Sequence, residues 1–190
     1  MQSQLAAIVG DLEAASRRVH ELHRRLQFSG AWMTRPAAAE WSAADCVAHL
    51  NLTSAALLPL LDAAIGQARE HREPPPARYR RDAMGWLMWQ LVAPAGGLKT
   101  TTIAAFEPSG TPSTEGLVFE FDDLQAAVVA RVREADGLPL QRVKVRSPFD
   151  GRVSFNLYSA LALVPRHQDR HLHQAEQAAR RCAVRLPAAV

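Results

Sequence analysis

Between Leu5 and about Phe28 the apolar residues Leu5, Ile8, Leu12, Ala15, Val19, Leu22 and Leu26 recur every three or four positions. That period lays them along one stripe of a helix, and a stripe so long must be covered by other elements. Four later segments read as helical too. Ala43 to about Arg69 is rich in alanine and leucine, follows Ser42 as a natural N-cap and carries Asp45 in its first turn, where a carboxylate suits the helix dipole. Pro59 should kink that helix, since proline lacks a donor and crowds the preceding turn. A shorter helix is predicted from about Asp82 to Val92, a fourth from Phe119 to Glu134, closed by Gly137 and Pro139, and a last long one from Ser154 to about Val184.

The connections lose this period. HREPPPARYRRD favours an extended polyproline segment, and PAGGLKTTTIAAFEPSGTPST reads as a long irregular loop with at most one short strand. In QRVKVRSPFDGR the VKV triplet suits a brief strand, while PFDG argues for a turn. The pattern predicts an all-α fold in one domain over residues 1–190: a four-helix bundle with a short additional helix and long loops.

At 190 residues, 48% hydrophobic and 22% charged, the chain can bury a core without disulfides and sits with ordinary globular proteins. Cys46 and Cys182 lie far apart with no CxxC partner, which suits free thiols and a cytoplasmic location. Asp11 and Glu13 interrupt the N-terminal segment before a signal peptide can form, and the apolar run Ala55 to Ile65 is too short to span a bilayer. No membrane partner is expected. The net charge of +3 is spread among mixed charges, and Arg17, Arg18, Arg24 and Arg25 alternate with Glu13 and Glu21 as on a solvated helix face. Nucleic-acid binding is not indicated. Trp86 and Trp89 lie near one face of the short helix, where they fill the core, form a subunit contact in a homodimer or offer a stacking platform for a ligand.

The residues that carry chemistry are histidines. His167 and His171 are four apart in RHQDRHLHQAEQ, one helical turn, so their imidazoles share a face; His173 points to nearly the opposite side. Such a pair is weak by itself in a chain with seven histidines, as His20 and His23 illustrate. His49 strengthens it, because it stands with Asp45 and Thr53 at four-residue spacing on a helix otherwise made of alanine and leucine. Three histidines on two elements of one bundle can meet at a single ion. Neutral imidazoles suit zinc, nickel, copper or iron, and three ligands leave a coordination position open. Arg170 and Gln174 lie close enough to flank such a site. Cys46 is either a small buried residue at a helix crossing or a fourth ligand, and Asp45 either caps its helix or orients His49.

Trp41 and Ser42 opening a helix, His49 within AHL, and then His167, Arg170, His171, Leu172 and Gln174 on a C-terminal helix together resemble the DinB/YfiT-like superfamily of bacterial helical-bundle proteins. The order of helices matches over nearly the whole chain, but the specific motifs cover only those two regions. The resemblance implies that His49, His167 and His171 bind a divalent metal such as nickel or zinc. It also implies relatives that use low-molecular-weight thiols such as bacillithiol, mycothiol or glutathione, and hence an S-transferase acting on a small electrophile. A metal-dependent hydrolase and a non-catalytic metal-binding or structural bundle are the alternatives. The residue after His167, often acidic in relatives, is Gln168 here, with Asp169 one place later.

Overall fold

The computed structural model describes residues 1–28, 30–93, 103–108 and 114–183. Among them are five α-helices: α1 (Ser3–Leu26), α2 (Ala43–Glu70), α3 (Ala83–Leu91), α4 (Thr114–Glu134) and α5 (Leu157–Ala183). A 3₁₀ turn at Ala104–Phe106 precedes α4, and two short strands, β1 (Lys144–Arg146) and β2 (Ser154–Asn156), precede α5. The long helices α1 and α2 each pack against α4 and α5, so the bundle has α1 and α2 on one diagonal and α4 and α5 on the other. The short α3 lies against α5 and β2.

Local chemistry explains most helix boundaries. The Ser42 hydroxyl accepts from the Asp45 amide and the Asp45 carboxylate accepts from the Ser42 amide, a reciprocal cap that starts α2 where the sequence predicts. Asp45 also pairs with Arg35, which together with these bonds holds its carboxyl below the usual range against the opposing effect of burial. It therefore caps α2 and does not orient His49. Gly137 takes a positive φ of 80° just beyond α4, a conformation that favours glycine. The helix α2 runs unbroken through Pro59, whose ring faces solvent, so water can serve the carbonyl that proline leaves unpaired.

Two boundaries differ from expectation. Phe119 lies inside α4, whose described residues already include Thr114. The last helix begins at Leu157 because Ser154–Asn156 pair antiparallel with β1, Val145 opposite Phe155. Asn156 stops the strand and caps α5: its Oδ1 accepts from the Ser159 amide while its Nδ2 donates to the Arg80 carbonyl. The PFDG turn lies between the strands, closed by Ser147 N donating to Val153 O, so strand and turn coexist.

The apolar core falls into two parts. One gathers Leu5–Leu12, Leu61–Ala68, Val128–Ala135 and Leu157–Val164; the other gathers Ala15–Leu26, Ala43–Leu50, Leu117–Phe121 and Leu172–Cys182. Between them every helix of the bundle except α1 contributes buried polar side chains: His49, Asn51, Thr53 and Ser54 from α2, Gln125 from α4, Gln168 and His171 from α5. This polar layer at mid-height is where a site can sit. On the outside, Arg18 bridges Asp169 and Glu176 and Arg24 pairs with Glu21, as a solvated charged face requires. By length and composition α2 is apolar enough to cross a membrane, but half of that apolar window is buried inside the bundle.

Candidate metal centre

The helix α2 delivers His49 into the polar layer, and α5 delivers His167 and His171 from successive turns of one face. One ring nitrogen from each of the three lies within 4.8 Å of the others. The ring centroids are 4.3 Å (His49 to His171), 4.5 Å (His167 to His171) and 5.2 Å (His49 to His167) apart. The Nε2 atoms of His49 and His167 are separated by 3.4 Å. Two tetrahedral nitrogen ligands at about 2.05 Å from zinc stand about 3.3 Å apart, so these rings already have the spacing that a shared ion needs.

The surroundings fix ring orientation and protonation. His49 Nδ1 lies 2.9 Å from the main-chain oxygen of Phe106, which can only accept, so Nδ1 carries the proton and Nε2 presents its lone pair to the cluster. Burial is the main cause that lowers the pKa of His49. Burial, with the neighbouring His49 and the Arg170 charge, takes His167 down to about 3, and the same causes with His167 lower His171 further. The three rings are therefore neutral and able to donate lone pairs. The Nδ1 of His171 is buried without a hydrogen-bond partner, a desolvated, unsatisfied state that fits a ring suited to ligate a metal. Three imidazoles without a carboxylate suit a transition ion better than calcium or magnesium.

Aromatic walls hold the cluster. Trp41, just before the α2 cap, packs on His49 and His171 at 4.9 and 5.8 Å between centroids. Phe149 of the hairpin turn packs on Phe106 at 4.7 Å and on His167 at 5.7 Å. Beneath the site, Gln168 and Gln125 form a reciprocal amide pair at 2.7 and 3.0 Å, and Gln125 also donates to the Leu12 carbonyl. These uncharged amides tie α1, α4 and α5 together.

Of the flanking residues, Arg170 donates to the Ala93 carbonyl just past α3, and Gln174 lies in hydrogen-bonding reach of the His171 ring. His173 stands outside the cluster, 2.9 Å from Gln177. Cys46 is fully buried in the apolar core, where burial raises its thiol pKa, and it is absent from the cluster. The Phe106 carbonyl and the Phe149 ring carry no signal in the sequence, because both lie in irregular segments without a period. Trp41 is legible as a motif position but not as a wall of the site.

The cluster opens into a cleft of about 1130 Å³ that follows α5 from Ala160 to Arg181. The long irregular loop that the sequence predicts between α3 and α4 borders this cleft. Residues 94–102 and 109–113 lie outside the described residues; within 103–108, Phe106 is buried against the site, and Ile103 and Glu107 line the cleft.

A sequence model described as the DinB superfamily matches residues 11–175. No curated protein and no solved structure matches the chain significantly.

Proposed function

We propose that this chain, which belongs to the DinB superfamily, holds nickel or zinc on His49, His167 and His171 and is a thiol-dependent S-transferase acting on a small electrophile. The observation that carries the reading is the convergence of three neutral, desolvated imidazoles beside a cleft. A divalent ion held there would supply a Lewis acid with an open coordination position, able to lower the pKa of a thiol or of water. The chain does the rest. The Phe106 carbonyl keeps His49 in the tautomer that can act as a ligand, Trp41 and Phe149 pack on the rings, and burial above all, with the neighbouring imidazoles and Arg170, keeps His167 and His171 unprotonated.

Among the described residues no carboxylate joins the histidines, so the site has no general base of its own. A thiol, with an ordinary pKa of about 8.5 against about 15.7 for water, loses its proton to the solvent far more readily without such a base, which favours transfer over hydrolysis. Glu107, which lines the cleft, is the residue that a hydrolase would recruit, and that is the second reading. A purely structural site has no use for a cleft beside its ligands.

Turnover is expected to require both the ion and a small thiol, and to extend to lower pH than the uncatalysed reaction with the same thiol. The experiment is a screen of metal-loaded protein with glutathione, bacillithiol and mycothiol against several electrophiles, with His49→Ala as control. Loss of all enhancement in His49→Ala is the expected result. Ester or amide hydrolysis without any thiol, and no thiol transfer, would replace this reading with the hydrolase.

A further inference from the structure

The cleft is divided in polarity on either side of the histidines. Toward the N-terminal end of α5 it is walled by Leu57 of α2, Met88 and Leu91 of α3, Phe155 of β2, and Leu163 and Val164 of α5. Three polar groups on this side are engaged elsewhere. The Thr53 hydroxyl donates to the Leu50 carbonyl, the Ser147 hydroxyl accepts from the Phe149 amide, and Asp150 at the turn is ion-paired with Arg152. Toward the C-terminal end of α5 the same cleft is lined by Glu40, His173, Gln174, Gln177 and Arg181, with Arg181 paired to Glu40 and Gln177 bonded to His173. The antiparallel run of α2 against α5 produces this division: residues after His49 on α2 meet residues before His167 on α5, and residues before α2 meet the end of α5.

We infer that the apolar arm between Leu57, Met88 and Leu163 is a binding site for an elongated apolar group, carried by a ligand whose polar head lies at the histidines. The arm runs along α5 from Ala160 to His167, about 10 Å at 1.5 Å per residue. A straight alkyl chain or a flat aromatic group fits that length and meets the side chains of Leu57, Met88, Leu91, Phe155, Leu163 and Val164. A short, wholly polar ligand would leave the arm wet and gain nothing from it. This narrows the substrate of the reaction proposed above to electrophiles with an apolar tail, and it rests on that reading only for the position of the head group.

Calorimetric titration of the full chain with a series of n-alkyl hydroxamates, from acetyl to octanoyl, tests the arm. Zinc-loaded and zinc-free protein are both titrated. Affinity is expected to rise roughly fourfold per added methylene until the arm is filled, in both forms, with the zinc-loaded form tighter throughout. Leu57→Ser and Leu163→Ser, both at partly exposed positions and checked for native helix content by circular dichroism, are expected to flatten the dependence; Gln177→Ala at the polar end is expected to keep it. Binding without chain-length dependence would overturn the arm while leaving the metal site intact. A dependence unchanged in both leucine variants would overturn it too. A dependence that persists with zinc-loaded and zinc-free protein indistinguishable would uphold the arm and overturn the metal reading instead.

Discussion

A single helix position separates a ligand from a bystander on α5. His171 and His173 are two residues apart, about 200° around the helix axis, so one faces the cluster and the other bonds Gln177 at the surface. His171→Ala is therefore expected to abolish stoichiometric binding of added zinc or nickel, and His173→Ala to retain it; equal loss in both, by metal analysis after dialysis, would refute the assignment by face. Burial of these rings also couples folding to pH. Unfolded, a histidine titrates near 6.5, whereas in the metal-free fold His167 is held at about 3 and His49 and His171 are also lowered. Between those values the unfolded chain binds protons that the folded chain does not. Stability of the metal-free protein should thus be full above the ordinary histidine range and fall as pH drops below it, with a limiting slope of about 1.4 kcal/mol per pH unit for each ring that stays neutral. Denaturant unfolding over a series of pH values checks this, and His167→Gln should reduce the slope by one ring's share. A flat profile would mean that the rings take up protons inside the fold.

At the scale of elements, the position of α3 decides the shape of the cleft, and it is set by one close approach. A Cβ at Gly85 would overlap the Ser159 hydroxyl and Cβ of α5 and the Asp82 carboxylate. Asp82 is itself tied down: it caps α3 through the Gly85 amide, accepts from Asn156 N of β2 and pairs with Lys144 of β1. Gly85→Ala should destabilise the protein by about 1–3 kcal/mol, the usual cost of overpacking, and Ser159→Gly in the same chain should recover part of it. Thermal melts of the single and double variants make the comparison; additive losses would show that the two residues do not meet. The start of α3 near Asp82 is legible in the sequence. That Ser154–Asn156 are strand is not, because three residues carry no period, and the pairing with Lys144–Arg146 is a contact between segments, not a property of either.

For the whole molecule, the exposed apolar surface bears on assembly. The Trp89 ring is covered by the Arg81 and Arg166 guanidinium groups, 4.2 and 4.8 Å from its centroid, while Trp86 is 56% exposed beside Met84 and Leu87. The two tryptophans thus have different fates, and of the two only Trp86 offers a surface for the subunit contact that the sequence suggests. Sedimentation velocity should give a dimer for the native chain and a monomer for Trp86→Glu; a native monomer would end the dimer proposal. The sequence by itself determined the long helices, the cap at Ser42 and the start of α3 near Asp82, and it marked three histidines as candidates. Each of these rests on neighbours within a turn or two, where the apolar period and hydrogen bonding are local. The tertiary structure alone decided that His49 stands 3.4 Å from His167, that a loop carbonyl at Phe106 sets its tautomer, and that Gln125 and Gln168 close the layer beneath. It also decided the two polarities of the cleft. Those are relations between residues 40 to 120 positions apart, and they exist only once antiparallel packing of α2 on α5 brings the end of one helix beside the start of the other.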